Sequence, residues 1–258
     1  MKKTLLTLCA LFFIVQFTAQ NEHPKKPIQC TLRGEVRDLP NTYYLILEPF
    51  FEDRQIRIPI HNGEFEYVLN CDYGILYRLK VPREISGGTA FHHFNIFSEE
   101  GIVDLTFYLD PNDEHEVRYQ LNEGPINMEN ERLGKKQNEL VASLLDSLTL
   151  VEQQMQQASL IPLDKMRELQ RERERIYGSI RQKQVDFTLQ NAKECPNIVS
   201  YWAIVSIAIS NNQFSQSQIM DAIEVYKTIY APKFPNHPFT ERMKALINSM
   251  EIVKEEGR

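Results

Sequence analysis

Polar and apolar residues alternate strictly from Ile28 to Val36. Ile28, Cys30, Leu32, Gly34 and Val36 fall on one side, and Gln29, Thr31, Arg33 and Glu35 on the other. Alternation of this kind marks a strand with one buried and one wet face. Comparable segments recur at Tyr43 to Glu48, Gln55 to Ile60, Glu64 to Leu69, Ile75 to Val81, Phe91 to Phe97, Ile102 to Leu109 and Glu116 to Leu121. Turn chemistry separates them: Asp38-Leu39-Pro40-Asn41, a hairpin signal at His61-Asn62-Gly63, Pro82 with the loop through Ser86-Gly87-Gly88, and Ser98-Glu99-Glu100-Gly101. About eight short strands at regular spacing predict an antiparallel β-sandwich or barrel.

The period changes after Gly124-Pro125-Ile126-Asn127. Leu133, Leu140, Leu144, Leu148, Val151 and Met155 recur at three-, four- and seven-residue steps, and Met166, Leu169, Ile176, Ile180 and Phe187 do the same beyond a break at Ile161-Pro162. Two long amphipathic helices are expected, folded back on one another like a short coiled coil, with Leu163-Asp164 offering an N-cap to the second. Asn197 to Ser210 is apolar on most of its surface and reads as the buried centre of this half. A fourth helix starts at Ser215 or Ser217 and ends at Tyr230, before Pro232, Pro235 and Pro238. A fifth covers Phe239 to Glu255. The fold class is therefore α+β: a β-rich domain over residues 21–123, then an all-helical domain of about five helices over 124–258.

Residues 1–20 have the order of a secretory signal: Lys2 and Lys3, an apolar run from Leu5 to Phe17, then small and polar residues. Cys9 belongs to this leader, and no transmembrane span is expected once it is removed. The protein is expected in the periplasm or elsewhere in the cell envelope. The formal charge is −6, or −8 without Lys2 and Lys3, which argues against a nucleic-acid partner, since such a partner needs a basic face. Cys30, Cys71 and Cys195 remain. In an oxidising compartment Cys30 and Cys71 are candidates for a disulfide, the alternative being three small apolar residues that never pair.

Catalytic chemistry has no evident carrier. There is no glycine-rich phosphate loop, no Gly-x-Ser-x-Gly elbow and no Cys-x-x-Cys, so no catalytic, cofactor-binding or metal-binding residue is assigned, and the chain reads as non-enzymatic. His92 and His93 adjoin in a strand and so point to opposite faces, which does not suit one metal. His61 and His115 read as turn residues. Asp110-Pro111-Asn112-Asp113-Glu114 is spaced like a cation loop but lacks its glycine pivot. The alternating charges of Arg167 to Arg175 read as a solvated helix face, with Glu168 and Glu172 each meeting a base three or four residues on.

Several short motifs resemble a known family. The leader, Cys30-Thr31-Leu32-Arg33-Gly34-Glu35-Val36, Asn62-Gly63-Glu64-Phe65-Glu66-Tyr67, Phe97 to Ile102 and Gly124-Pro125-Ile126-Asn127 are similar to the N-terminal β-rich domain of unknown function in exported Bacteroidetes TlpA-like (AhpC/TSA-type) thiol-disulfide oxidoreductases. Cys195-Pro196-Asn197-Ile198-Val199-Ser200 and Asn236 to Glu255 resemble the helical connector of the same proteins. There the connector leads into a thioredoxin domain, whereas this chain reads to Gly257-Arg258 without one. The resemblance implies an envelope location and an accessory or scaffold role without redox activity of its own. The expected partners are an envelope protein or a separate thioredoxin-like oxidoreductase; the alternative to a purely binding role is a redox accessory in which Cys30, Cys71 or Cys195 exchanges disulfides with the latter. A glycan-binding sandwich using Tyr43, Tyr44, Phe50 and Phe51 is a further reading, by analogy of fold.

Overall fold

A computed structural model describes residues 27–39, 41–85, 88–156, 162–210 and 213–256. The leader with Cys9, Pro40, Ser86, Gly87, Ile161 and the terminal Gly257-Arg258 lie outside the described residues. The chain divides into two compact units between Gly124 and Pro125.

The first unit contains β1 (Ile28–Val36), β2 (Tyr44–Pro49), β3 (Ile56–Pro59), β4 (Glu64–Cys71), β5 (Leu76–Ile85), β6 (Gly88–Phe97), β7 (Gly101–Asp110) and β8 (Asp113–Glu123). They form two four-stranded sheets, ordered β4-β1-β7-β8 and β3-β2-β5-β6. Inward residues of both sheets share one apolar core, including Leu32, Leu45, Leu79, Ile96, Leu105 and Phe107. The fold is a sandwich and not a closed barrel. One pairing departs from the antiparallel expectation: β1 and β7 run parallel, with Arg33 opposite Asp104 and Glu35 opposite Thr106. Local alternation sets which face is buried but carries no information about a partner some 70 residues away.

Two turns differ from the sequence reading. His61 and Glu64 exchange backbone hydrogen bonds of 2.8 and 3.0 Å around Asn62 and Gly63, both at positive φ, which is the geometry of a tight two-residue turn. The strands on either side nevertheless separate, β3 pairing with β2 and β4 with β1. Pro82 does not end its strand, since β5 continues to Ile85. Pairing with β2 stops at Lys80, so the missing N–H of Pro82 interrupts no ladder on that side. Gly34 is required by a close approach: a Cβ there would lie 1.7 Å from the Leu105 carbonyl oxygen of the neighbouring strand.

The second unit consists of α1 (Pro125–Gln156), α2 (Leu163–Glu194), α3 (Ile198–Ile209), α4 (Gln216–Val225) and α5 (Pro238–Glu256). A π-turn at Tyr226–Tyr230 and a single α-turn at Ala231–Lys233 prolong α4. Pro232 is therefore accommodated within a helical turn, and Pro238 opens α5. α1 and α2 are 32 residues each, about 48 Å long at 1.5 Å per residue, and pack through Val141, Leu148, Val151, Leu169, Ile176 and Ile180. Val141, 1% exposed, holds the stripe position that spacing assigns to Leu140, which is 41% exposed. Asp164 does not cap α2: Pro162 stands at the N-cap without a side-chain hydrogen bond, and Asp164 lies in the first turn. Asn197 and Ser215 do cap α3 and α4, each in a reciprocal box with Ser200 and Gln218. α3 is the buried centre, through Tyr201, Ile204 and Val205 among others. Among the described residues no helix is long and apolar enough to cross a membrane.

Candidate functional site

The outer face of the β4-β1-β7-β8 sheet is polar, because alternation sends the apolar set of each strand inward. Register lines up Glu64 and Glu66 of β4 with Glu35 and Arg33 of β1, and these with Thr106 and Asp104 of β7. Gln120 of β8 follows opposite Thr106, with Asn122 two residues on. Together with Arg37, Pro59 and His61 they line an open groove of about 560 Å³.

Its centre is tied together by hydrogen bonds. Arg33 Nε donates to Asp104 Oδ2 at 2.8 Å, and its guanidinium lies 3.7 Å from Glu123. Asn122 Nδ2 donates to Asp104 Oδ1 at 2.9 Å and to Thr106 Oγ1 at 3.0 Å. Burial works against the Asp104 charge, but the bonds from Asn122 and Arg33 outweigh it and hold the carboxyl below the usual aspartate range. Arg37 pairs with Glu35 at 2.7 Å. Glu35 stands directly opposite Glu64, an unfavourable like-charge pair. Residues 27–124 carry 17 acidic against eight basic side chains, so the groove lies on the acidic half of the chain.

A carboxyl whose pKa is depressed on folding stabilises the fold above its unfolded value of about 3.9, and that contribution is lost as pH falls through the lower folded value. Acid unfolding of the β unit should therefore include an Asp104 component below about pH 4. Asp104→Asn is expected to flatten the stability profile there, as followed by tryptophan-independent far-UV dichroism against pH.

Cys30 and Cys71 both point into the sandwich core as free thiols, and Cys195 is the exposed cysteine among the described residues. Register sets Cys30 opposite Leu69 and Ile28 opposite Cys71, so the two cysteines are diagonal neighbours. Diagonal positions are about 7–8 Å apart, wider than the Cα spacing a disulfide usually spans. Cys71 Sγ lies 3.3 Å from the Tyr77 hydroxyl, and burial raises the pKa of both Cys30 and Tyr77. In the protein taken from its own compartment, alkylation under native conditions should label Cys195 alone, with Cys30 and Cys71 labelled only after unfolding. A mass two hydrogen atoms lighter before reduction would show a bridge instead.

The remaining sequence candidates are dispersed. His92 faces inward, where its Nδ1 accepts from Val117 N–H at 3.4 Å, and His93 is exposed on the other face. Asp110 accepts from Asn112 N–H and pairs with Arg118, so its oxygens shape the β7–β8 turn. His115 lies within β8 and not in a turn. Glu172 pairs with Arg175 as spacing predicts, but Glu168 pairs backwards with Lys165. Tyr44 belongs to the other sheet, where the Arg57 guanidinium covers it, and Phe50, in the turn after β2, borders a hollow of about 320 Å³ where Glu48 is engaged by Lys80 and Gln55. None of the aromatic residues Tyr43, Tyr44, Phe50 and Phe51 is among those lining the polar groove, whose aromatic lining residue is the largely buried Phe65. An apolar cleft of about 420 Å³, including Pro125, Ile126, Pro196, Ile198 and Phe234, adjoins Cys195 in sequence.

No protein-family model matches this chain, and no curated protein does either.

That these residues meet is not legible in the sequence, because they come from β1, β3, β4, β7 and β8 and the adjoining segments at Arg37 and His61. The signal the sequence carries is the mostly polar outward set of these strands, such as Arg33 and Glu35 or Glu64 and Glu66.

Proposed function

We propose that this is an exported protein of the cell envelope that acts by binding, without catalysis, and that the polar groove of the β unit is its binding surface. The observation that carries the reading is the groove itself: an open concavity whose hydrogen-bonding groups are held in place by the Arg33–Asp104–Asn122 network. Fixed polar groups in a concave surface are what a specific ligand site needs. Asp104 remains ionised at neutral pH, a poor match for general acid–base work, which favours a group poised near the working pH. The leader pattern and the resemblance of the strand motifs support the envelope location.

The test is cross-linking in the native envelope, followed by affinity capture and mass spectrometry. Glu35→Lys together with Asn122→Ala should reduce capture of the principal partner at least tenfold relative to the natural chain. An unchanged partner set, or turnover of a substrate by the purified protein, contradicts the reading. The exposure of Cys195 favours a second reading, a redox accessory to a separate thioredoxin-like protein. Capture of such a protein by the natural chain and not by Cys195→Ser would establish it.

A further inference from the structure

β4 is an edge strand, paired with β1 on one side only. The Val36 N–H donates to the Gly63 carbonyl, which fixes the alternation of hydrogen-bonded pairs along the β1–β4 ladder. Phe65, Tyr67, Leu69 and Cys71 then bond to β1, while Glu66, Val68 and Asn70 direct their N–H and C=O groups away from it. Glu64 sits at the start of this outward row and is already bonded to His61. Glu66, Val68 and Asn70 have no backbone partner on the open side among the described residues. The β1–β4 register is uninterrupted, and β4 has no proline or bulge to block an incoming chain.

The side chains on the outer face of the same strand are Glu64, Glu66, Val68 and Asn70, all exposed. Neither carboxylate forms an ion pair among the described residues; Arg33 stands opposite Glu66, and opposite Glu64 stands a further carboxylate, Glu35, which is paired with Arg37. Charged side chains protect an edge against pairing with like chains. Carboxylates at every second position also select a strand of opposite charge, since directly opposed ion pairs stabilise a sheet and like pairs oppose it.

We propose that β4 accepts an extended basic polypeptide segment as a fifth strand, with lysine or arginine at alternate positions facing Glu64 and Glu66. This rests on the reading of the β unit as a binding module and names the chemistry of its partner. Main-chain bonds to Glu66, Val68 and Asn70 would supply attachment, and the two carboxylates selectivity.

The probe is a capped eight-residue peptide in which lysine alternates with valine, compared with its counterpart carrying glutamate for each lysine. The lysine peptide should bind at least tenfold more tightly, more so at low salt, and slow amide exchange at Glu66, Val68 and Asn70. Glu66→Lys should reverse the preference. Val68→Pro removes an N–H from the open edge at a position where proline suits an edge strand, and should abolish binding while far-UV dichroism is unchanged. If that variant unfolds, exchange at the three amides of the natural chain decides. Unchanged exchange there, or equal binding of the two peptides, overturns the proposal. Failure of the peptide with groove-dependent capture intact removes only the edge proposal. Edge protection by the peptide with groove-independent capture removes only the groove reading.

Discussion

Tyr201→Ala is expected to destabilise the helical unit by about 4 kcal/mol, within the range for removing a large aromatic from a packed core. Tyr201 is fully buried, its ring stacked on Tyr230 at 4.6 Å between centroids and packed near Phe234 and Phe239. Its hydroxyl lies 2.7 Å from Thr240 Oγ1, which itself donates to the Phe234 carbonyl, so Tyr201 is the donor to Thr240. Tyr230 completes the arrangement by donating to Ser200 Oγ at 2.8 Å, the same hydroxyl that closes the α3 capping box. The alanine variant loses ring contacts and leaves Thr240 and Tyr230 without their neighbour. Tyr201→Phe keeps the ring and should cost only about 1 kcal/mol, the ordinary net value of a hydrogen bond. Urea unfolding monitored at 222 nm separates the two cases. Equal losses for both variants would mean that the hydroxyl, and not the packing, holds the cluster.

Gly34→Ala should be nearly as damaging, about 3 kcal/mol or more, because overpacking here meets backbone and not a movable side chain. The added Cβ would lie 1.7 Å from the Leu105 oxygen, so β1 and β7 must separate to admit it. These are the two central strands of the sheet that carries the groove. The change should therefore lower the unfolding midpoint and also disturb the Arg33–Asp104 bond next to it. Gly134→Ala is the control: it lies in α1 with open space around its Cβ, and should stabilise by about 0.5–1 kcal/mol through helix propensity alone. A Gly34→Ala protein as stable as the natural one would contradict the strand spacing described here.

What could be read beforehand follows from how far each signal reaches. Alternation in β1 and β4, and the change of period after Gly124, depend on neighbouring residues, and the strands and long helices stand where those patterns place them. Caps are local too, as at Asn197 and Ser215. Partner choice is not local. The parallel β1–β7 pairing and the departure of β3 and β4 into different sheets depend on which surfaces meet, and Leu140 yields to Val141 because the neighbouring helix fixes the rotation of α1. Arg33 and Glu35 were visible as the wet face of a strand. That they meet Asp104 and Asn122 required the register.

A partner bound in the groove lies within reach of a photoreactive side chain placed there. With the group at Gln120, on the groove, and in a separate protein at Gln170, an exposed position of α2, irradiation of the intact envelope reports which surface touches a partner. A discrete adduct from position 120 that is absent at position 170, and lost with Glu35→Lys, is the predicted result. An adduct formed only at position 170, with none from the groove, would contradict the account.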